Sequence, residues 1–134
     1  PDAKSPYAYK HKDFLMSHAE SSFFKKLEDA VGEKYYIFPQ VHLSSIVDQK
    51  VVGQNWKAAL SHIDRKSVDF VLCDKINCKP LLAIELDDYS HEREDRIIRD
   101  TEVERILQQA HLPLLRFKDG SDSVEAIRSK VLIL

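Results

Sequence analysis

Apolar positions follow helical and strand periods in turn along most of the chain. Phe23, Phe24, Leu27 and Val31 recur at helical spacing behind Ser17-His18-Ala19-Glu20. A Ser-x-x-Glu start is a capping-box pattern, so a helix is predicted at about residues 17–31, closed by Gly32. Residues 35–43 (YYIFPQVHL) are aromatic and β-branched and predict a strand, with Pro39 marking an edge, bend or bulge. The pattern is weakest over residues 44–64, where a helical stretch around Asn55 to His62 groups Trp56, Ala59, Leu60 and Ile63. Ser67 to Asp74 (SVDFVLCD) and Pro80 to Asp87 (PLLAIELD) are two β-rich runs joined by a short polar turn, a hairpin signal.

From Ser90 a charged segment carries Ile97, Ile98, Val103, Ile106, Leu107 and Ala110 at helical spacing. Ser90 can cap that helix, with Glu92, Glu94 and Asp95 in the first turn, where the helix dipole favours negative charge. Leu112 to Phe117 then predicts a short strand, Gly120 a break, and Ser123 to Leu132 a final helix. The step from residue 80 to 117 has the length of a crossover between parallel strands. The expected fold class is therefore α/β: a mixed β-sheet flanked by α-helices. Residues 1–13 are polar, hold two prolines and show no period, and read as an arm or linker before a single domain at 14–134.

Composition narrows the function classes. The 134 residues hold 20 Lys and Arg against 22 Asp and Glu, a net charge of -2, so bulk positive charge does not coat nucleic acid here. Any contact with DNA or RNA must come from a local patch. Two cysteines, Cys73 and Cys78, flank the hairpin turn and can form neither a disulfide framework nor a four-cysteine zinc site. A reduced pair suits a reducing compartment, and a cytoplasmic location is the expectation. No apolar run approaches the roughly 18 residues of a membrane span, and no secretory signal is visible. The chain opens on Pro1 rather than Met, which reads as a domain cut from a longer protein with other domains beside it.

The chemistry sits in the hairpin, where carboxylates interrupt the two most apolar strands. Glu85 and Asp87 alternate onto one face, and an in-register hairpin that sets Asp69 opposite Glu85 also sets Cys73 opposite Leu81. Three carboxylates on one half-buried face must protonate, pair with cations or bind a metal ion. All-oxygen donors suit a hard cation such as Mg²⁺ or Mn²⁺, which can hold a phosphodiester and acidify a bound water. The structural alternative is an ion network with Arg65, Lys66, Arg96, Arg99 or Arg116. His91 follows at the start of the long helix, where the dipole weakens its hold on a proton. That suits a general base, whereas a histidine isolated there would read as an ordinary surface residue of the first turn.

A strand bearing Asp, a turn, then a strand bearing Glu-x-Asp resembles the PD-(D/E)xK restriction-endonuclease-like superfamily. The ordered set Asp69, Ile84-Glu85-Leu86-Asp87-Asp88-x-Ser90-His91, Arg99-Asp100 and Leu114-Leu115-Arg116-Phe117 more closely resembles an uncharacterised bacterial family within it. That family is related to the very short patch repair endonucleases, and the likeness runs from about Phe14 to Phe117. The resemblance implies a mixed sheet with helices on both sides and a Mg²⁺-dependent phosphodiesterase site acting on nucleic acid, DNA above all. It makes Asp69 and Glu85 metal ligands and matches Glu20 to an acidic residue on the first helix, beside that residue's role in the capping box. Relatives are fused to other modules or carry a membrane segment.

One departure matters. The third motif position is usually Lys, and Asp87 stands there. Asp87 is then a further metal ligand with His91 as base, while Arg96 or Arg99 supplies the missing positive charge. Asp100 reads as a strut between helix and sheet, and Arg116 either contacts phosphate or neutralises the carboxylates. The alternative is a catalytically inactive, nuclease-derived module that binds nucleic acid or a partner protein.

Overall fold

The computed structural model describes residues 6–87 and 94–133, with side chains from residue 97 onward in the second span. The order is α1 (His18–Val31), β1 (Tyr35–His42), a 3-10 turn (Leu43–Ser45), α2 (Trp56–Ile63), β2 (Ser67–Asp74), β3 (Pro80–Asp87), α3 (Glu94–Gln109), β4 (Leu114–Lys118) and α4 (Val124–Leu132). The strands form one four-stranded sheet in the order β1-β2-β3-β4. The β1–β2 and β2–β3 pairs are antiparallel, while β3 and β4 run parallel across the α3 crossover. The α/β expectation holds, and the strand-helix-strand step does join neighbouring parallel strands.

Each helix start has a local cause. The Ser17 hydroxyl accepts from the Glu20 amide at 3.1 Å, and the Glu20 carboxylate accepts from the Ser17 amide at 2.8 Å, completing the capping box of α1. Asn55 and Ser123 cap α2 and α4 through their side-chain oxygens. Gly32 ends α1 for a different reason from the one its type suggests. Its backbone is right-handed (φ -64°), and a Cβ there would collide with the Glu28 carbonyl, so the position needs close approach rather than a left-handed turn. The cap reading at Ser90, with Glu92, lies outside the described residues, as do the side chains of Glu94 and Asp95.

The sheet separates two apolar layers. On one side Phe23, Leu27 and Val31 of α1 and Ile127 and Val131 of α4 pack on Phe70, Leu72, Ile84, Leu86 and Phe117. The Phe23 ring lies 5.7 Å from Phe70 and 5.1 Å from Phe117, centroid to centroid. On the other side Ile63 of α2 and Val103 and Leu107 of α3 pack on Val68, Val71, Cys73 and Ala83. Lys26 ties α1 to the approach of α4 by donating to the carbonyls of Gly120 and Asp122. Among the described residues no helix is long and apolar enough to cross a membrane.

The hairpin register departs from the regular one. Phe70, Val71 and Leu72 face Ile84, Ala83 and Leu82 as an in-register pairing requires, but Cys73 faces Pro80 rather than Leu81. A bulge between Leu72 and Cys73 shifts the register by one residue and leaves Leu81 without a partner. The tight turn beyond it, where the Asp74 carboxylate accepts from the amides of Ile76 and Asn77, draws Pro80 up against Cys73.

Candidate active site

The ladder between β2 and β3 begins only at the Phe70–Ile84 pair. Asp69 and Glu85 come next, and there the strands exchange side-chain contacts in place of ladder bonds. The Leu86 amide donates to the Asp69 carboxylate at 2.7 Å. Asp69 and Glu85 share a hydrogen bond between their carboxyl groups. The expectation that these two side chains meet is thus met, through strands that part rather than through a continuous ladder.

A third carboxyl joins from α1. One oxygen of Glu20 caps the helix, and the other accepts from the Gln40 amide at 2.8 Å. Glu20 also hydrogen-bonds Asp69 and acts on it electrostatically. The cap and the site are therefore two roles of one side chain. Gln40 has no sequence signal beyond the proline before it. It sits in β1 at φ 53°, between the Pro39–Phe70 and Val41–Val68 pairs, a left-handed conformation that is rare in a side-chain-bearing strand residue. Such strain collects at functional sites, and here it turns the carboxamide onto Glu20.

The electrostatics follow from burial. Glu85 is 7% exposed. Its carboxyl is pushed up to about 9, first by burial, then by the adjacent Asp69, with Asp100 adding to the rise and Arg116 opposing it. Asp69 is also raised by burial, while its hydrogen bonds to Glu85 and to the Leu86 amide pull it down. Burial and mutual crowding thus raise both carboxyls of the pair.

Arg116 of β4 lies beside Glu85 in the parallel register. Its guanidinium is 3.2 Å from Asp87 and 3.9 Å from Asp100, and it also donates to the Asp100 carbonyl. Arg116 therefore neutralises carboxylates, and Asp100 is a strut between α3 and the sheet with Arg116 as its partner. Asp87 has a cation already against it. Arg99 is exposed on α3. His91 and the side chain of Arg96 lie outside the described residues.

Asp69, Glu85 and Glu20 offer oxygen donors alone, the chemistry of a hard divalent cation. Among the described residues no three His, Cys, Asp or Glu side chains surround an ion position as they stand. Cysteine chemistry has less support. Both thiols are free, and burial with the neighbouring Cys78 pushes Cys73 up to about 11, which keeps it protonated and inert.

Comparison with curated proteins gives no match, and comparison with solved structures gives none. A family model does match over residues 12–133, and the chain accordingly belongs to the family described as protein of unknown function (DUF2726).

Proposed function

We propose that this domain is a Mg²⁺-dependent nuclease that hydrolyses phosphodiester bonds in DNA. The observation that carries the reading is the meeting of Glu20, Asp69 and Glu85 from three separate elements at the point where β2 and β3 part. A purely structural network would set a cation against each carboxylate. Here burial and the adjacent Asp69 raise the Glu85 carboxyl although Arg116 is beside it. Resemblance of the Asp69…Glu85-x-Asp87 order to the restriction-endonuclease-like pattern supports the same reading.

Asp69 and Glu85 would hold the ion, with Asp87 as a further ligand. When bound, such an ion supplies polarisation of a phosphoryl oxygen and a more acidic water. Asp69 is fixed for this work by the Leu86 amide, and Glu20 by the Ser17 amide and Gln40. Arg116 provides positive charge at the place where a motif lysine would stand, by its contact with Asp87. His91 remains the candidate base. That same Asp87–Arg116 pair favours the second reading, an inactive module that retains the nuclease face for binding nucleic acid or a partner protein, because the usual lysine is missing.

The test is cleavage of supercoiled and single-stranded circular DNA with Mg²⁺ or Mn²⁺, against an EDTA control. Metal-dependent cleavage is expected. Asp69→Asn and Glu85→Gln should each lose roughly 100-fold or more, at or beyond what a supporting residue around a metal costs. Equal cleavage by all three proteins contradicts the proposal, and cleavage by none transfers the site to the binding module.

A further inference from the structure

The sheet face on which α2 and α3 pack carries a second feature at its β1 edge, beyond the reach of those helices. Tyr36 and Phe38 lie on that face opposite Cys73 and Val71, and both rings are exposed, 46% and 40%. They stand 6.3 Å apart, tilted by 55°. The Lys75 ammonium sits 5.5 Å over the Tyr36 ring. Phe38 opens onto a groove of about 430 Å³ floored by Val71, Cys73 and Pro80, with His42 and Ser45 among its polar groups. Among the described residues no acidic one lines it. Gln40 also lines it, and its carboxamide reaches Glu20 of the carboxyl cluster.

We propose that this groove, with Tyr36 and Phe38, seats unpaired bases of a single-stranded nucleic acid whose backbone runs on toward the carboxyl cluster. Three observations select that ligand. Exposed rings on a sheet surface present the flat apolar faces on which bases stack without regard to sequence. Lys75, over the Tyr36 ring, suits a phosphate, while His42 and Ser45 suit base edges. Among the described residues the groove lining holds no carboxylate to repel a polyanion, although the chain as a whole is slightly acidic. A duplex keeps its base faces inside its own stack and cannot use these rings. The inference rests on the nuclease reading for the direction of the strand, and it adds the substrate class: single-stranded or locally opened nucleic acid.

Fluorescence anisotropy tests it, with a short labelled oligothymidylate and a duplex of equal length, in EDTA at low salt. The single strand should bind about tenfold more tightly than the duplex. The double variant Tyr36→Ala with Phe38→Ala should lose at least about tenfold for the single strand, the scale of stacking on two rings. The ring-preserving pair Tyr36→Phe with Phe38→Tyr should retain binding, which separates stacking from a general loss of fold. Equal binding by wild type and the alanine variant overturns the proposal, as does equal affinity for single strand and duplex; either result leaves the face to a protein partner. Because binding is read without metal, failure here leaves the cleavage assay to decide the nuclease reading. Failure of that assay leaves the groove standing as a binding surface.

Discussion

Phe70→Ala should lower the free energy of unfolding by about 3–5 kcal/mol. Phe70 is fully buried in β2 and touches two rings of α1, Phe23 at 5.7 Å and Phe24 at 6.1 Å. It also forms the last ladder pair, with Ile84, before the strands part at Asp69 and Glu85. Truncation removes the transfer free energy of the ring and opens a cavity between sheet and helix that the close-packed layer cannot refill. A domain of this size commonly has only about 5–15 kcal/mol in total, so the variant stands near the edge of folding. Urea unfolding followed by circular dichroism measures it, as a lower midpoint at unchanged slope. Phe70→Leu keeps most of the volume and should cost distinctly less. A loss below about 1 kcal/mol for the alanine variant would mean that the ring does not anchor the hairpin.

Glu85→Gln should stabilise the metal-free domain at neutral to alkaline pH, on the order of 1–3 kcal/mol. The sign follows from the protons. An unfolded glutamate releases its proton near 4.5, whereas the folded one holds it to about 9. Through that window the folded state binds more protons than the unfolded state, so stability is greatest below 4.5 and falls as pH rises to 9. Part of the effect is shared with Asp69, which is raised as well, and the range above allows for that. Glutamine removes the titration and keeps a hydrogen-bonding group for Asp69. Thermal melts between pH 5 and 9 should therefore show a falling midpoint for the wild type and a flatter profile for Glu85→Gln. Added Mn²⁺ should raise the wild-type midpoint, most at high pH, and leave the variant unmoved. A structural ion pair predicts the reverse: the variant would be less stable than wild type at neutral pH.

Much of this arrangement is legible in the sequence because local signals agree with the fold. The β2 and β3 runs are bounded by polar turn residues on one side and charge on the other, and their limits in the structure are those of the pattern, Ser67–Asp74 and Pro80–Asp87. The α1 cap follows from Ser17 and Glu20 alone, and even the weakly patterned Trp56–Ile63 helix has its Asn55 cap. The features that escape are those decided by tertiary contact. Nothing local marks the bulge at Cys73, which depends on how the turn draws Pro80 inward. Gln40 reads as an ordinary strand residue, and its left-handed backbone and bond to Glu20 exist only once α1 lies against β1. Carboxylates at Asp69 and Glu85 are visible as anomalies in apolar strands, but the parting of those strands is not. From the sequence Arg116 is open between phosphate and carboxylates, and the structure adds its pairing with Asp87 and Asp100.

The central claim is that the crowded carboxyls are a site for a hard divalent cation, and calorimetric titration with Mn²⁺ and Mg²⁺ tests it most directly. Run in two buffers of different ionisation enthalpy, the titration reads both the ion and the proton it displaces. The wild-type domain should bind about one or two ions and release protons as it does so. Asp69→Asn should lose both signals while remaining folded. Absence of binding and of proton release in the wild type, or an unchanged isotherm in Asp69→Asn, would contradict the account.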